Sequence, residues 1–176
     1  MMKILVLAVH PHMETSVVNK AWAEELSKHD NITVRDLYKE YPDEAIDVAK
    51  EQQLCEEYDR IVFQFPLYWY SSPPLLKKWQ DLVLTYGWAF GSEGNALHGK
   101  ELMLAVSTGS EAEKYQAGGA NHYSISELLK PFQATSNLIG MKYLPPYVFY
   151  GVNYAAAEDI SHSAKRLAEY IQQPFV

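Results

Sequence analysis

The strongest constraint on this chain is a set of short apolar runs with no polar alternation. Residues 2–9 read MKILVLAV, residues 60–65 read RIVFQF, and residues 100–107 read KELMLAVS. A strand with one wet face alternates apolar and polar side chains. A continuous run implies that both faces are covered, which is the situation of a parallel strand between helices. Amphipathic stretches fall between the runs. Helices are expected over 16–28, 45–57, 74–86, 125–139 and 158–172, and a further strand over 32–37. Ser72 and Pro73 suit the N-cap and first position of the third helix, and Gly140 suits the end of the fourth. Residues 142–150 form a fifth extended segment, interrupted by Pro145 and Pro146.

Five strands alternating with helices predict an α/β fold, a doubly wound sheet with helices on both faces. Right-handed crossovers leave few topologies. At 176 residues the chain has enough length for one domain, 1–176, and too little for two. Ligands of such sheets bind at the carboxyl ends of the strands. Three loops therefore matter: those after Val9, Phe65 and Ser107.

The first loop, His10 to Asn19, has no glycine, so it is neither a GxGxxG turn nor a P-loop. It places Thr15, Ser16 and Asn19 where a helix begins, and free N–H groups with the positive dipole end suit a phosphate there. A plain N-cap by Thr15 or Ser16 explains the same residues. The second loop, FPLYWYSSPP (65–74), carries Leu67, Tyr68, Trp69 and Tyr70 in a row. A planar, largely apolar ligand accounts for such a segment, as does a hydrophobic cluster or a subunit contact. Its place beside the switch point favours the ligand. The third loop begins Ser107, Thr108, Gly109, Ser110 and continues to Tyr115 and His122. Gly109 permits close approach of backbone to a ligand. A Tyr and a His in a loop are more often structural than catalytic.

Charge and cysteine content exclude several classes. The net charge of −7, with no basic run, argues against nucleic acid or an anionic membrane surface as partner. The single cysteine, Cys55, allows no internal disulfide and lacks a CxxC context, so it reads as an incidental, partly buried thiol. The first apolar run is too short for a signal segment, and the expected compartment is the cytoplasm. No metal-ligating spacing stands out. A nucleophile elbow GxSxG is absent, and Phe65-Pro66 stands where a phospho-receiver domain needs an Asp.

Taken together, AVHPHMETSVVNKA (8–21), LYKEYPDEAID (37–47), FPLYWYSSPPLLKKWQDLVLTYGWAFG (65–91), ALHGK (96–100), VSTGS (106–110) and GMKYLPPYVFYG (140–151) resemble the NAD(P)H:quinone oxidoreductase branch of the flavodoxin superfamily. The resemblance is close to small bacterial members, of the general stress protein 14 type and the flavoprotein ancillary subunits of glutathione-gated potassium-efflux antiporters. It covers nearly the whole chain, and block 65–91 is its specific part. It implies a flavodoxin-like three-layer sandwich with a five-stranded parallel sheet of order 2-1-3-4-5.

The resemblance also implies FMN, with FAD as the alternative that larger relatives use, and NAD(P)H as co-substrate. His10 and Ser16, Val17, Val18 and Asn19 would hold the phosphate and ribityl chain. Leu67, Tyr68, Trp69 and Tyr70, with Ser107, Thr108, Gly109 and Ser110, would wrap the ring. Tyr115 and His122 correspond to a catalytic pair that buffers charge on the flavin edge, although Glu111 to Lys114 stand where relatives carry more glycine. The implied reaction is ping-pong hydride transfer to a quinone or similar flat acceptor. Relatives are homodimers, and segments 86–90 and 147–150 are candidate contacts. Two other roles share the fold: a flavodoxin-type electron carrier, and a regulatory subunit of a potassium-efflux antiporter.

Overall fold

The computed structural model of the chain describes residues 1–175. Its sheet has strands β1 (Ile4–Ala8), β2 (Ile32–Asp36), β3 (Arg60–Pro66), β4 (Glu101–Ser107), β5 (Lys142–Tyr143) and β6 (Tyr147–Phe149). The order is β2-β1-β3-β4-β5, with β6 also on β4, and every pairing is parallel. This is the expected 2-1-3-4-5 sheet. Its last position is two short strands because Pro145-Pro146 interrupts the ladder.

The helices are α1 (Val18–Leu26), α2 (Leu37–Glu40), α3 (Val48–Glu57), α4 (Pro74–Val83), α5 (Ile125–Leu128), α6 (Lys130–Leu138) and α7 (Ala157–Tyr170). Successive strand residues point to opposite faces, so each apolar run feeds two cores. Ile4, Val6, Val62 and Met103 pack with Trp22 and Leu26 of α1 and Leu167 of α7. Leu5, Leu7, Ile61, Phe63 and Leu104 pack with Cys55 of α3, Trp79 of α4 and Phe132 of α6. Burying one such large side chain contributes roughly 1.5–3 kcal/mol, so both faces are strongly specified. Among the described residues no helix is long and apolar enough to cross a membrane.

Several element ends differ from expectation, each for a local reason. Leu37, expected as the end of β2, opens α2, because the Asp36 side chain accepts the Lys39 N–H and caps it. The helix expected from residue 45 begins at Val48, where Asp47 accepts the Lys50 N–H. Pro73, not Ser72, is the N-cap of α4, and Pro74 takes the first position. The helix expected over 125–139 is broken at Leu129. Pro131 has no N–H for the Glu127 carbonyl and its ring clashes there. Gly140 ends α6 at φ +71, and a Cβ at that position would run into the His98 ring.

Candidate functional site

The register aligns the strand ends. Ala8 pairs with Gln64, Gln64 with Ala105, and Ala105 with Tyr147, while Pro66 and Phe149 both flank Ser107. The loops after β1, β3 and β4 therefore leave from one edge, beside the end of β6.

In the first loop the α1 terminus is capped by Ser16, whose Oγ accepts the Asn19 N–H at 3.2 Å. The N–H groups of Val17 and Val18 find no acceptor among the described residues. They are the donors a phosphate would take. His10 Nδ1 accepts the His12 N–H at 3.0 Å. A neutral His10 therefore carries its proton on Nε2. Burial, and then the nearby His12 charge, lower its pKa below the usual 6.5, which keeps it neutral and a single donor at pH 7. Its ring meets Tyr68 edge-on at 6.2 Å, joining the first loop to the second.

The second loop turns tightly. Tyr68 N–H donates to the Ser71 carbonyl at 3.1 Å, and Ser71 N–H to the Tyr68 carbonyl at 2.9 Å. Between them Trp69 and Tyr70 stand at φ +46 and +62. Two positive φ values mark the hairpin turn that ordinarily takes Asn-Gly. Occupied by two aromatics, each residue costs roughly 1–3 kcal/mol of strain. The strain has an effect: Trp69 is 93% exposed, and Tyr70 is 46% exposed with its hydroxyl 3.2 Å from Asn121 Oδ1. The result is an aromatic shelf at the sheet edge, linked by Asn121 to the loop bearing Tyr115 and His122.

The third loop is held from both sides. Thr108 N–H donates to the Phe149 carbonyl at 2.9 Å, and Val152 N–H to the Thr108 carbonyl at 3.0 Å. Gly109 is exposed, and a Cβ there would come within 3.1 Å of Asn153 Nδ2. The N–H groups of Gly109 and Ser110 have no acceptor among the described residues. Tyr115 packs on Tyr150 with ring centroids 5.9 Å apart. His122 is exposed at φ +61, and its N–H donates to the Gly119 carbonyl.

One expectation is corrected. Asn19 does not offer its side chain to the first loop: it is 2% exposed, and Nδ2 donates to Ser107 Oγ at 2.9 Å. The Ser107 and Thr108 side chains also face inward, at 3% and 1% exposure. Tyr147 and Phe149, in the other candidate contact segment, are half-buried, with both rings packed on Trp22. Within 86–90, Tyr86 is displayed, at 71% exposure.

Sequence reasoning missed Gln64 and Asn121, and it named Tyr150 only within a candidate subunit contact, not as the partner of Tyr115. Gln64 is the lone polar residue inside an apolar strand, and that was its available signal. It is fully buried, with Nε2 donating to the Asn19 carbonyl at 2.9 Å, while its Oε1 has no partner among the described residues.

An open groove of about 870 Å³ lies on the other side of the first loop, lined by His10, Thr15, Lys20, Asp36 and Tyr38 among others. It touches neither Leu67–Tyr70 nor Ser107–Ser110. The shelf and the unclaimed N–H groups are the better candidate, because they combine polar donors with a flat apolar surface. Backbone donors on two loops plus aromatic rings suit a planar heteroaromatic group with an anionic tail.

The chain matches a family described as flavodoxin-like fold over residues 2–173. YrkL, an uncharacterized NAD(P)H oxidoreductase of Bacillus subtilis (strain 168), is 56% identical over 97% of this chain and 98% of its own. KefG, a glutathione-regulated potassium-efflux system ancillary protein of Salmonella newport (strain SL254), is 40% identical over 98% and 94%. Among solved structures, general stress protein 14 of Treponema denticola in complex with FMN superposes with TM-score 0.92, at 44% identity over 97% of this chain and 99% of that one. An NADPH-quinone reductase of P. pentosaceus gives TM-score 0.90, at 34% identity over 99% and 100%. A chain from a structure described as a thermophilic tryptophan halogenase of Streptomycin violaceusniger gives TM-score 0.96, at 65% identity over 97% and 99%.

Proposed function

The chain belongs to the flavodoxin-like family, and on that premise we propose that it is an FMN-dependent NAD(P)H:quinone oxidoreductase. One observation carries the reading. Unclaimed backbone donors on the first and third loops share a sheet edge with an exposed aromatic shelf. The relatives named NAD(P)H oxidoreductase and NADPH-quinone reductase, and the FMN-bound neighbour, support it.

Val17 and Val18 N–H, with the Ser16-capped end of α1, would hold the FMN phosphate. His10, neutral and donating from Nε2, would face the ribityl chain. Trp69 and Tyr70 would flank the ring, and Gly109 and Ser110 N–H would meet its polar edge. Bound there, FMN would supply a two-electron relay, with NAD(P)H and then a quinone occupying the same space in a ping-pong cycle. The protein contributes orientation and charge compensation. Preorganised donors such as the Gly109 and Ser110 N–H groups stabilise negative charge developing on the ring edge, and one such donor is typically worth about 3 kcal/mol. Tyr115 and His122 are proposed for the same charge buffering.

A homodimer would close the exposed shelf, with Tyr86 as a contact. FAD, the alternative, would need room for a second nucleotide, and the groove beside His10 is the available hollow. The proposed dependence on NAD(P)H supports a cytoplasmic location. Similarity to KefG supports a second role, as partner of a potassium-efflux system, which the oxidoreductase activity can accompany.

The test is a visible spectrum of the purified protein, followed by NADPH and then menadione. Flavin bands that bleach with NADPH and recover with menadione are expected. Bands that NADPH cannot bleach would make the chain an electron carrier. A protein that takes up no FMN would overturn the reading. Chloride- and dioxygen-dependent conversion of tryptophan, on admitting air to the reduced sample, would instead support the activity in the description of the 65% identical neighbour.

A further inference from the structure

The three loops are joined by one chain of hydrogen bonds beneath the surface. Ser16 Oγ accepts the Asn19 N–H at 3.2 Å. Asn19 Nδ2 donates to Ser107 Oγ at 2.9 Å. The Ser107 carbonyl accepts the Leu67 N–H at 2.8 Å. Gln64 supports Asn19 from below through Nε2 to the Asn19 carbonyl. Asn19, Gln64 and Ser107 are all buried, so these bonds exchange little with water and hold one geometry.

We propose that Asn19 is a positioning residue: its amide fixes the distance between the phosphate seat at the α1 terminus and the ring seat on the second and third loops. Val17 and Val18 precede Asn19 on the same helix end, so their N–H groups move with it. Leu67 opens the aromatic loop and Gly109 follows Ser107 by two residues, so the ring seat moves with Ser107. The Asn19–Ser107 bond is a buried side-chain hydrogen bond between the two. A ligand that engages both seats at once gains from their fixed spacing, in the manner of a chelate. A ligand that engages one seat gains nothing from it.

The inference rests on the FMN reading and makes a separate prediction. FMN engages both seats; riboflavin, which lacks the phosphate, leaves the seat at the α1 terminus unused. Affinities of both for the apoprotein are read from quenching of flavin fluorescence. In Asn19→Ala and the milder Ser107→Ala, FMN affinity is expected to fall about ten-fold or more, the scale of one buried hydrogen bond lost with its partner left unpaired. Riboflavin affinity is expected to stay within about two-fold. The double variant should lose no more than the worse single, since both break one bond. If Asn19→Ala does not fold, Ser107→Ala carries the test. Equal losses for FMN and riboflavin, or no loss for either, would overturn the positioning role and leave Asn19 as part of the core. A wild-type protein that binds no FMN would instead remove the cofactor reading itself.

Discussion

Glu51 is wholly buried, and its Oε1 accepts a hydrogen bond from Arg35 Nη2 at 2.6 Å. The same oxygen takes the Tyr41 hydroxyl at 2.7 Å, and Oε2 takes Trp79 Nε1 at 3.0 Å. One carboxylate on α3 thus ties β2, the turn after α2, and α4 together. The brace reaches the site indirectly: Tyr38 of α2 accepts the Leu75 N–H at the start of α4, just past the aromatic loop.

Removing one partner of a buried ion pair leaves an uncompensated charge. Arg35→Met is therefore expected to destabilise the fold by about 3–5 kcal/mol, measured as the shift in urea-unfolding free energy. A loss below about 1 kcal/mol, the range of a surface pair, would show that the pair is not the brace described.

The strained turn at Trp69 and Tyr70 predicts a trade of stability for function. Trp69→Asn with Tyr70→Gly supplies the residues this turn prefers and removes no buried surface at Trp69. The unfolding midpoint is expected to rise, by relief of roughly 1–3 kcal/mol per residue, while flavin retention and quinone turnover fall. Trp69→Ala alone should weaken both functions with little change in stability, because the side chain is 93% exposed. Full flavin occupancy with unchanged turnover would refute the role of the shelf.

His10 gives a pH dependence with a definite sign. Its folded pKa lies below the usual 6.5, chiefly through burial. Between those two values the unfolded chain binds more protons, so stability falls as the pH drops below 6.5. Above 6.5 the contribution is fully present. An NMR titration should find the His10 midpoint below that of a free histidine, and His10→Gln should flatten the stability curve in this window. A midpoint at or above 6.5 would contradict the burial argument.

Cys55 makes a chemical prediction. Burial first, and the neighbouring Glu51 charge second, push its thiol up to about 12. A thiol of that kind is inert at pH 8. A thiol-reactive chromogenic disulfide should release no colour from the native protein and one equivalent from the unfolded one. Rapid native reaction would mean that α3 opens far more readily than its packing suggests.

Much of the fold was legible because it depends on patterns within a few residues. The continuous apolar runs of β1, β3 and β4 can only be buried strands, and the punctuation at Pro73-Pro74 and Gly140 marked helix ends to within a residue or two. Even the break at Leu129 had its cause in the sequence, in Pro131, though the apolar periodicity spanned it. The start of α2 at Leu37 was harder to foresee. It turns on whether Asp36 points at the Lys39 N–H or away from it.

The site divided differently. Which loops carry it followed from strand ends and residue types alone, since a doubly wound sheet binds at one edge. What each side chain does there followed from tertiary structure. Asn19 has the composition of a phosphate ligand and sits beside Ser16 in the sequence, yet its partner is Ser107, 88 residues away. Gln64 is a polar residue in an apolar strand, and the fold sets the Asn19 carbonyl against its amide. Local sequence determines the element, its faces and its ends, because those depend on short-range sterics and periodicity. Which way a polar side chain turns depends on partners that only the assembled sheet brings within hydrogen-bond reach.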